Sequence, residues 1–248
     1  MIDMSALYGH SDYEKALDNF TQSSCKWSSF QDVHLKVAKN RCPICECDLD
    51  SVITRPTNSG TTIIKVTIDH YRPQKYYSFL KCSHKNYLLM CSECNNIYKK
   101  SEFPLHSTTP MRVLTEEELE EEKPLIVNPI NDNLLELFIL IFRTTDSGKK
   151  VLELKPKERT GYLYEKALET IKLFGLGNCD TYRHSNNNVY NCRISILESH
   201  YGVFIEFAKG LKEGNRLKVA LELREKKNIF ESYGFYVFIQ KNQFEVLT

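Results

Sequence analysis

The chain has 248 residues and a mass of 28.9 kDa, which is enough for one large domain or two modest ones. Hydrophobic residues make up 42% and aromatic residues 11%, which supports a sizeable core and excludes wholesale disorder. The 33 Lys and Arg residues against 32 Asp and Glu residues give a formal net charge of +1, which excludes a histone-like polycation.

The location of the protein is predicted from features that the sequence lacks. Its longest apolar run, residues 134–142, is far below the roughly 20 residues that a bilayer requires. The N-terminal residues lack the basic start and apolar stretch of a signal peptide. Nine cysteines without an export signal favour a reducing compartment, where clustered cysteines bind metal more often than they form disulfides. We therefore expect a cytoplasmic protein with no membrane-spanning segment.

Residues 1–40 are predicted to form a helical N-terminal arm. Tyr13, Leu17 and Phe20 lie three or four residues apart, as on one face of a helix. A second helix is expected over residues 29–39, which carry several apolar side chains. The arm therefore precedes, as a separate helical unit, the cysteine-rich part of the chain.

Residues 41–112 have a different character. Cys, Pro, Gly, Asn and Ser punctuate short segments here, and residues 61–68 form a β-rich run that follows a turn at residues 58–60. From Tyr71 to Arg112 the chain carries seven basic and two acidic residues, a local charge of +5. Such a region would attract a polyanion.

Residues 113–248 are predicted to be a mostly helical C-terminal region that docks a partner. A capping-box pattern at 115–118 predicts that the Glu-rich residues 116–122 form a short solvated helix, the alternative being an acidic docking patch. Two β segments flanking Asp146-Ser147-Gly148 indicate a hairpin. The elements predicted for this region are the strands 138–142 and 151–154, the helices 162–174, 190–209 and 216–230, and a loop at 186–188.

Two C-x-x-C units, Cys42-Pro43-Ile44-Cys45 and Cys91-Ser92-Glu93-Cys94, are the strongest local pattern. Two such turns supply four thiolates in a tetrahedral site with no open position, as a structural zinc ion requires. A thioredoxin-like redox pair or ordinary buried thiols are the alternatives, and no βαβ pattern supports the former. Possible substitute ligands for the metal are Cys47, Cys82 and His84. The other cysteines, Cys25, Cys179 and Cys192, are predicted to be small buried hydrophobic residues.

Polar residues of catalytic type are interlaced with these cysteines, namely Asp69-His70-Tyr71-Arg72-Pro73, Asn86 and Asn95. The order C-x-x-C, (Asp/Glu/His)-His-x-x-Pro, Asn, C-x-x-C, Asn resembles the signature of the HNH endonucleases. The resemblance covers about residues 41–100. It implies a ββα-metal finger, in which a hairpin carries Asp69 and His70 and a helix begins near Cys94.

The residue types suit phosphodiester hydrolysis, which needs a base for water and a hard cation for the charge on the phosphate. An imidazole with a pKa of about 6.5 takes a proton at neutral pH, and carboxylate and amide oxygens suit Mg²⁺ or Mn²⁺ better than zinc. By the resemblance, His70 is the general base, Asp69 and Asn95 hold the catalytic metal, and Asn86 braces the loop that bears His70. Asn96 is the alternative to Asn95.

Three basic residues, Arg72, Lys99 and Lys100, are candidates for contacts with substrate phosphates, in agreement with the local positive charge. The alternative is that each is an ordinary solvated surface residue.

A narrower resemblance depends on residues 95–99 and on Glu122-Lys123-Pro124-Leu125-Ile126-Val127-Asn128-Pro129-Ile130-Asn131-Asp132. These segments resemble the HNH subunits of Septu anti-phage systems, a type that also occurs as a retron-associated effector. The resemblance implies an ABC/SMC-like ATPase partner and, for a retron, a reverse transcriptase with its DNA. Because this chain has no G-x-x-x-x-G-K-(S/T) loop, ATP hydrolysis would come from another chain.

We therefore predict an α+β protein with a zinc-pinned HNH core, acting as a metal-dependent endonuclease on DNA in anti-phage defence. The alternatives are an effector that cleaves tRNA or other RNA, and a non-catalytic zinc adaptor that binds nucleic acid or a partner. An adaptor would need the four cysteines but would have no use for Asp69, His70 and Asn95.

Overall fold

The fold was analysed in a computed structural model, which describes residues 1–20, 25–49, 53–57, 60–109, 112–144 and 150–176, together with Gly214. These residues form short helices and three two-stranded antiparallel sheets, which confirms the predicted α+β class. None of the described helices combines the length and apolarity that a bilayer crossing requires. The predictions for segments 186–188, 190–209 and 216–230, for residues 58 and 59, for the turn at 146–148, and for Cys179 and Cys192 lie outside the described residues.

The N-terminal arm contains the two predicted helices. Helix α1 spans Ser11–Asp18 and is capped by the His10 side chain, which accepts a hydrogen bond from the Asp12 N–H. Helix α2 spans Gln31–Val37 and directly follows a 3₁₀ turn at Trp27–Phe30. Both helices are short, so their stability comes from packing rather than from intrinsic propensity.

Two hairpins and a π-helix follow the arm. Strand β1 (Ile53–Thr57) pairs with β2 (Gly60–Ile64), so the β-rich run provides strands to two different sheets. Strand β3 (Val66–His70) pairs with β4 (Tyr87–Cys91), whose residues are all buried. The chain then enters a π-helix at Cys94–Lys99, close to the predicted start of a helix.

The C-terminal region contributes a hairpin and a helix. Helix α3 (Leu134–Leu137) leads into strand β5 (Phe138–Thr144), which pairs with β6 (Lys150–Pro156). Helix α4 (Gly161–Phe174) follows and ends at Gly175, whose positive φ of 63° suits glycine at a helix end. The strands and α4 agree with the sequence prediction.

The Glu-rich segment does not form the helix that was predicted from its capping box. A single 3₁₀ turn covers Leu119–Glu121, and the Glu118 carboxylate accepts from the Leu114 N–H instead of closing a capping box with Thr115. Most of the Glu side chains are exposed, but Glu122 is buried. The prediction of a solvated helix was therefore wrong in two respects: the segment forms only a 3₁₀ turn, and Glu122 is not solvated.

One hydrophobic core joins the three regions. Its buried members come from the arm (Met4, Phe30), the central region (Leu88, Phe103) and the C-terminal region (Ile126, Ile171). Backbone bonds reinforce this: the Ile2 and Met4 N–H groups donate to the carbonyls of Pro43 and Pro129 at 2.9 Å. On α4, Ile171 and Phe174 are buried in this core, Leu168 is half-buried and Leu163 is exposed.

His34 is a buried polar residue on α2. Neither of its ring nitrogens has a hydrogen-bond partner among the described residues. Burial lowers the pKa of His34 to about 4, because a charged imidazolium would lose its hydration there. The folded protein therefore holds this side chain neutral over the physiological range.

We expect His34 to make the protein less stable on the acid side. Between a pKa of about 6.5 in the unfolded chain and about 4 in the folded one, the unfolded chain binds the proton more tightly, so stability falls as pH falls. The expected loss from pH 7.5 to 5.5 is about 1 kcal/mol. Urea unfolding at both pH values should show this loss in the natural chain and a smaller loss in His34→Leu. Equal losses in the two proteins would contradict the assignment.

Candidate functional site

Four buried cysteines, Cys42, Cys45, Cys91 and Cys94, form one cluster and could hold a zinc ion. Their sulfur atoms all lie within 4.8 Å of one another, and two pairs, Cys42 with Cys94 and Cys45 with Cys91, are 3.7 Å apart. A tetrahedral zinc site with bonds of about 2.3 Å places its sulfur atoms about 3.8 Å apart. The cluster therefore fits zinc with little rearrangement.

The first C-x-x-C unit lies in a tight turn. The Cys42 N–H donates to the Cys47 carbonyl at 3.0 Å, and the Glu46 N–H donates to the Cys42 carbonyl at 2.8 Å. An antiparallel bridge between Arg41 and Asp48 closes this turn at its base. Glu46 takes a positive φ of 60°, which brings the chain back on itself. The turn points both thiols of the unit to one place.

Backbone N–H groups also point at the sulfur atoms. The Cys91 N–H lies 3.4 Å from Cys42 Sγ, and the Cys94 N–H lies 3.3 Å from Cys91 Sγ. Such donors stabilise the negative charge of thiolates that ligate a metal. The second C-x-x-C unit thus spans the end of β4 and the start of the π-helix, and it couples these two elements.

The other cysteines take different positions. Cys47 is buried next to the first unit but is not one of the four grouped residues. Cys82 is joined by a disulfide to Cys25, and both residues are half-buried. The prediction that Cys25 is a small buried hydrophobic residue was therefore wrong, because a cysteine 57 positions away lies against it. Neither Cys47 nor Cys82 displaces one of the four predicted ligands.

Metal analysis of the purified chain should give about one zinc ion per chain. Cys91→Ser removes one of four ligands and should lose the zinc, whereas Cys47→Ser should retain it. Zinc content by inductively coupled plasma mass spectrometry, read together with thermal unfolding, measures both. Zinc retained in Cys91→Ser and lost in Cys47→Ser would contradict the ligand assignment.

The π-helix packs across one face of β3. Thr67 and Asp69 point to the same side of the strand, because side chains alternate. Asn95 donates its side-chain amide to Thr67 Oγ1 at 3.1 Å, and Lys99 Nζ lies 2.7 Å from Asp69 Oδ2. The Lys100 N–H bonds to the Asn95 carbonyl, which is the i→i+5 pattern of a π-helix. The structure therefore brings Asn95 to the face of β3 that carries Asp69, whereas Asn96 is exposed.

His70 is oriented by a backbone carbonyl. Its Nε2 lies 2.9 Å from the Lys81 oxygen, which can only accept, so Nε2 carries the hydrogen and Nδ1 is the accepting nitrogen of the ring. The Gln74 amide nitrogen lies 3.3 Å from Nδ1 and 3.0 Å from Nε2. The Tyr87 ring packs edge-on at 5.2 Å, and its hydroxyl donates to the same Lys81 oxygen at 3.2 Å. The Lys81 carbonyl and the Gln74 side chain therefore contact the ring nitrogens of His70 and hold the imidazole in place.

Asn86 clamps the two ends of the loop that follows His70. Its Oδ1 accepts from the Arg72 N–H at 2.8 Å, and its Nδ2 donates to the Arg72 carbonyl at 3.0 Å. The Asn86 carbonyl also accepts from the Tyr71 N–H at 2.7 Å. These three bonds tie residue 86 to residues 71 and 72, as expected of a residue that braces the loop.

The Arg72 side chain makes contacts within the protein. Its guanidinium bonds to Glu122 at 3.1 Å and to the Leu119 carbonyl at 3.3 Å. Glu122 also accepts from the Tyr77 hydroxyl and the Val113 N–H. The guanidinium that was predicted to contact a phosphate therefore forms an internal ion pair, because a buried carboxylate needs a partner.

Lys99 is buried and paired within the protein. Its side chain is 0% exposed, and its ammonium contacts both Asp69 and the His70 carbonyl, the latter at 2.9 Å. The contact with Asp69 is an ion pair rather than an aligned hydrogen bond. Burial raises the pKa of the Asp69 carboxyl above its usual value, and the Lys99 charge opposes this rise. Of the three predicted phosphate contacts, only Lys100 is exposed.

Sequence reasoning did not find several residues that shape this site. Thr67 could have been found, because it lies two positions before Asp69 on the same strand face. Gln74, the Lys81 carbonyl and Glu122 had no local signal, since their roles depend on contacts across the fold. Comparison with known proteins found no match to a family model, to a curated protein or to a solved structure. The function of the site is therefore inferred from its geometry and residue types.

Lys99→Met should destabilise the protein by about 3–5 kcal/mol, because it leaves the Asp69 carboxylate buried without a partner. Lys100→Met removes a neighbouring exposed lysine and should change stability by less than about 0.5 kcal/mol. Denaturant unfolding of the two variants measures the difference. Adding Asp69→Asn to Lys99→Met should restore part of the loss. Equal stability of the two lysine variants would show that the ion pair is not formed.

Proposed function

We propose that the protein is a metal-dependent endonuclease of the HNH type that hydrolyses phosphodiester bonds, with DNA as the favoured substrate. One observation carries this proposal: the Lys81 carbonyl orients His70 at the end of β3, and Asn95 bonds to Thr67 on the face of that strand that also carries Asp69. The hairpin of β3 and β4, followed by a helical turn beside four cysteines, supports a ββα-metal arrangement.

His70 would act as the general base. Its Nδ1 would accept a proton from the attacking water, while the Lys81 carbonyl keeps the ring in one tautomer and orientation. Asn86 would keep the loop that carries Arg72 in place, so that the Lys81 carbonyl stays opposite the ring. General-base assistance of this kind contributes about 10²–10⁴ in rate.

Asp69 and Asn95 would hold the catalytic Mg²⁺ or Mn²⁺. Their oxygen atoms are the hard donors that such cations prefer, and one or two protein ligands suffice when substrate phosphate and water complete the shell. A bound divalent cation supplies the charge that stabilises the phosphate in the transition state. Lys99 already forms an ion pair with Asp69, so a bound metal ion and this lysine would both contact the same carboxylate.

Substrate contacts would come from exposed lysines rather than from the arginines. Arg112, like Arg72, is engaged internally, since it donates to the Tyr77 hydroxyl and to the Phe103 carbonyl. Exposed lysines remain beside the loop after His70 and at the end of the π-helix. They are Lys75, Lys81, Lys85 and Lys100.

On the resemblance to Septu and retron effectors, we propose that the protein acts in the cytoplasm in anti-phage defence, gated by an ABC/SMC-like ATPase and, in a retron, accompanied by a reverse transcriptase. Two other functions remain open. RNA cleavage would use the same residues, because HNH chemistry does not need the 2′-hydroxyl. A non-catalytic zinc adaptor is favoured by one observation, the buried Lys99 on Asp69, which also gives this carboxylate a structural role.

His70→Ala should lower the cleavage rate by a factor of about 10²–10⁴. It should not lose zinc, because only the four grouped cysteines are expected to hold the ion. The assay uses supercoiled plasmid and single-stranded RNA with a Mg²⁺ titration, for the chain alone and together with an ATPase encoded beside it. Undiminished Mg²⁺-dependent cleavage by His70→Ala would show that His70 is not the general base. Cleavage of RNA but not of DNA would show that RNA, and not DNA, is the substrate.

Asn95→Ala should raise the Mg²⁺ concentration needed for half-maximal cleavage, and Asn96→Ala is the matched control. The reason is that Asn95 faces β3 whereas Asn96 is exposed. Cleavage rates against Mg²⁺ concentration for both variants measure the shift. A larger shift in Asn96→Ala would mean that the neighbouring asparagine is the ligand.

A further inference from the structure

Cys25 and Cys82 join the N-terminal arm to the loop between β3 and β4. Their Cα atoms lie 4.8 Å apart, although 57 positions separate them in the sequence. Cys25 precedes the 3₁₀ turn Trp27–Phe30, and Cys82 lies in the loop that Asn86 closes. The nuclease function proposed above does not use this pair.

Cys82 is the direct neighbour of the carbonyl that orients His70. The Lys81 oxygen accepts from His70 Nε2 at 2.9 Å and from the Tyr87 hydroxyl at 3.2 Å. The Lys81 carbonyl belongs to the planar peptide unit that ends at the Cα atom of Cys82. The crosslink at Cys82 therefore constrains the peptide that holds the imidazole in one tautomer.

The rest of the loop is clamped at its ends rather than at Cys82. Asn86 ties the end of the loop to Arg72, at its start. Between these ends, the bonds nearest to Cys82 are local: the Lys81 N–H donates to the Ser78 carbonyl at 3.2 Å, and the Ser83 N–H donates to the Leu80 carbonyl at 3.1 Å. Among the described contacts, the link from Cys82 to Cys25 is the covalent tie of this loop to another element.

Aromatic residues of the arm also pack against the loop between β3 and β4. The Phe30 ring stacks on His84 at 5.8 Å, and the Tyr13 hydroxyl lies 2.8 Å from His84 Nδ1. Phe20 packs edge-on against His84 and Tyr87, and Tyr87 in turn packs against His70. The disulfide therefore fixes a contact that packing has already formed, and it does not have to pull distant elements together.

We propose that the Cys25–Cys82 disulfide is a positioning element for His70, and that its reduction loosens the Lys81 carbonyl and lowers the activity of the base. The inference rests on the proposed nuclease function, but its structural part is independent of it. The result would be an enzyme whose cleavage rate follows the thiol–disulfide balance of its surroundings.

The redox step is an ordinary two-electron exchange. A disulfide of low molecular mass, such as glutathione disulfide, oxidises the two thiols: the Cys25–Cys82 bond forms, the S–S bond of the oxidant breaks, and two thiols of the oxidant are released with both protons. In the reverse direction a phosphine reductant takes up the oxygen of one water molecule and becomes the phosphine oxide, and both cysteines are left as thiols.

The test compares the zinc-loaded full chain with and without tris(2-carboxyethyl)phosphine, which reduces disulfides. Hydrogen–deuterium exchange should rise locally in residues 81–87 on reduction, while zinc content and circular dichroism stay unchanged. Cys25→Ser and Cys82→Ser should show this raised exchange without reductant and respond no further. Cys192→Ser, which leaves the pair intact, is the matched control and should behave like the natural chain.

Activity gives a second readout. Reduction should lower the single-turnover cleavage rate tenfold to a hundredfold, less than the loss of the base itself. The residual rate of His70→Ala should not respond to the reductant, whereas a disulfide with a merely structural role would slow both proteins alike.

Unchanged exchange in residues 81–87 on reduction would overturn the proposal, as would an equal effect of the reductant on His70→Ala. If neither state cleaves DNA or RNA, the proposed nuclease function fails. The exchange data then decide by themselves whether the disulfide holds this loop.

Discussion

The four-sulfur cluster is the constraint on which the rest of the site depends. It joins the turn that holds Cys42 and Cys45 to the end of β4 and the start of the π-helix, across 46 positions between Cys45 and Cys91. A structural zinc ion contributes an apparent ~10–16 kcal/mol, more than the core of a small segment supplies by itself. By fixing where the π-helix leaves β4, the cluster determines which of its residues face β3.

The buried pair of Lys99 and Asp69 is a direct consequence of that placement. The π-helix carries Lys99 onto the face of β3 where Asp69 lies, so a residue that local charge would assign to the surface becomes internal. Arg72 and Glu122 form a second internal pair. Local net charge therefore overstates the positive surface, because two of the basic residues, Lys99 and Arg72, pair with buried carboxylates. The accessible cations are lysines around the loop after His70.

The loop after His70 is held by three different physical devices. Asn86 supplies hydrogen bonds at its ends, the aromatic rings of the arm supply packing, and Cys82 supplies a covalent bond. Cys82 adjoins Lys81, and the Tyr87 hydroxyl donates to the Lys81 carbonyl, which orients the imidazole of His70. An imidazole that is oriented by a loop carbonyl needs this much support, because a loop without it would sample many conformations.

The sequence by itself determined those features that depend on short spacing. The C-x-x-C units predicted the four-cysteine cluster, and apolar periodicity and turn residues predicted the arm helices, the β5–β6 hairpin and α4, since such patterns report local geometry. Tertiary structure alone decided the Cys25–Cys82 link, the burial of Lys99 and the pairing of Arg72 with Glu122. Each of these joins residues that lie 30 or more positions apart, and local preference carries no information about which distant side chain will complete a contact.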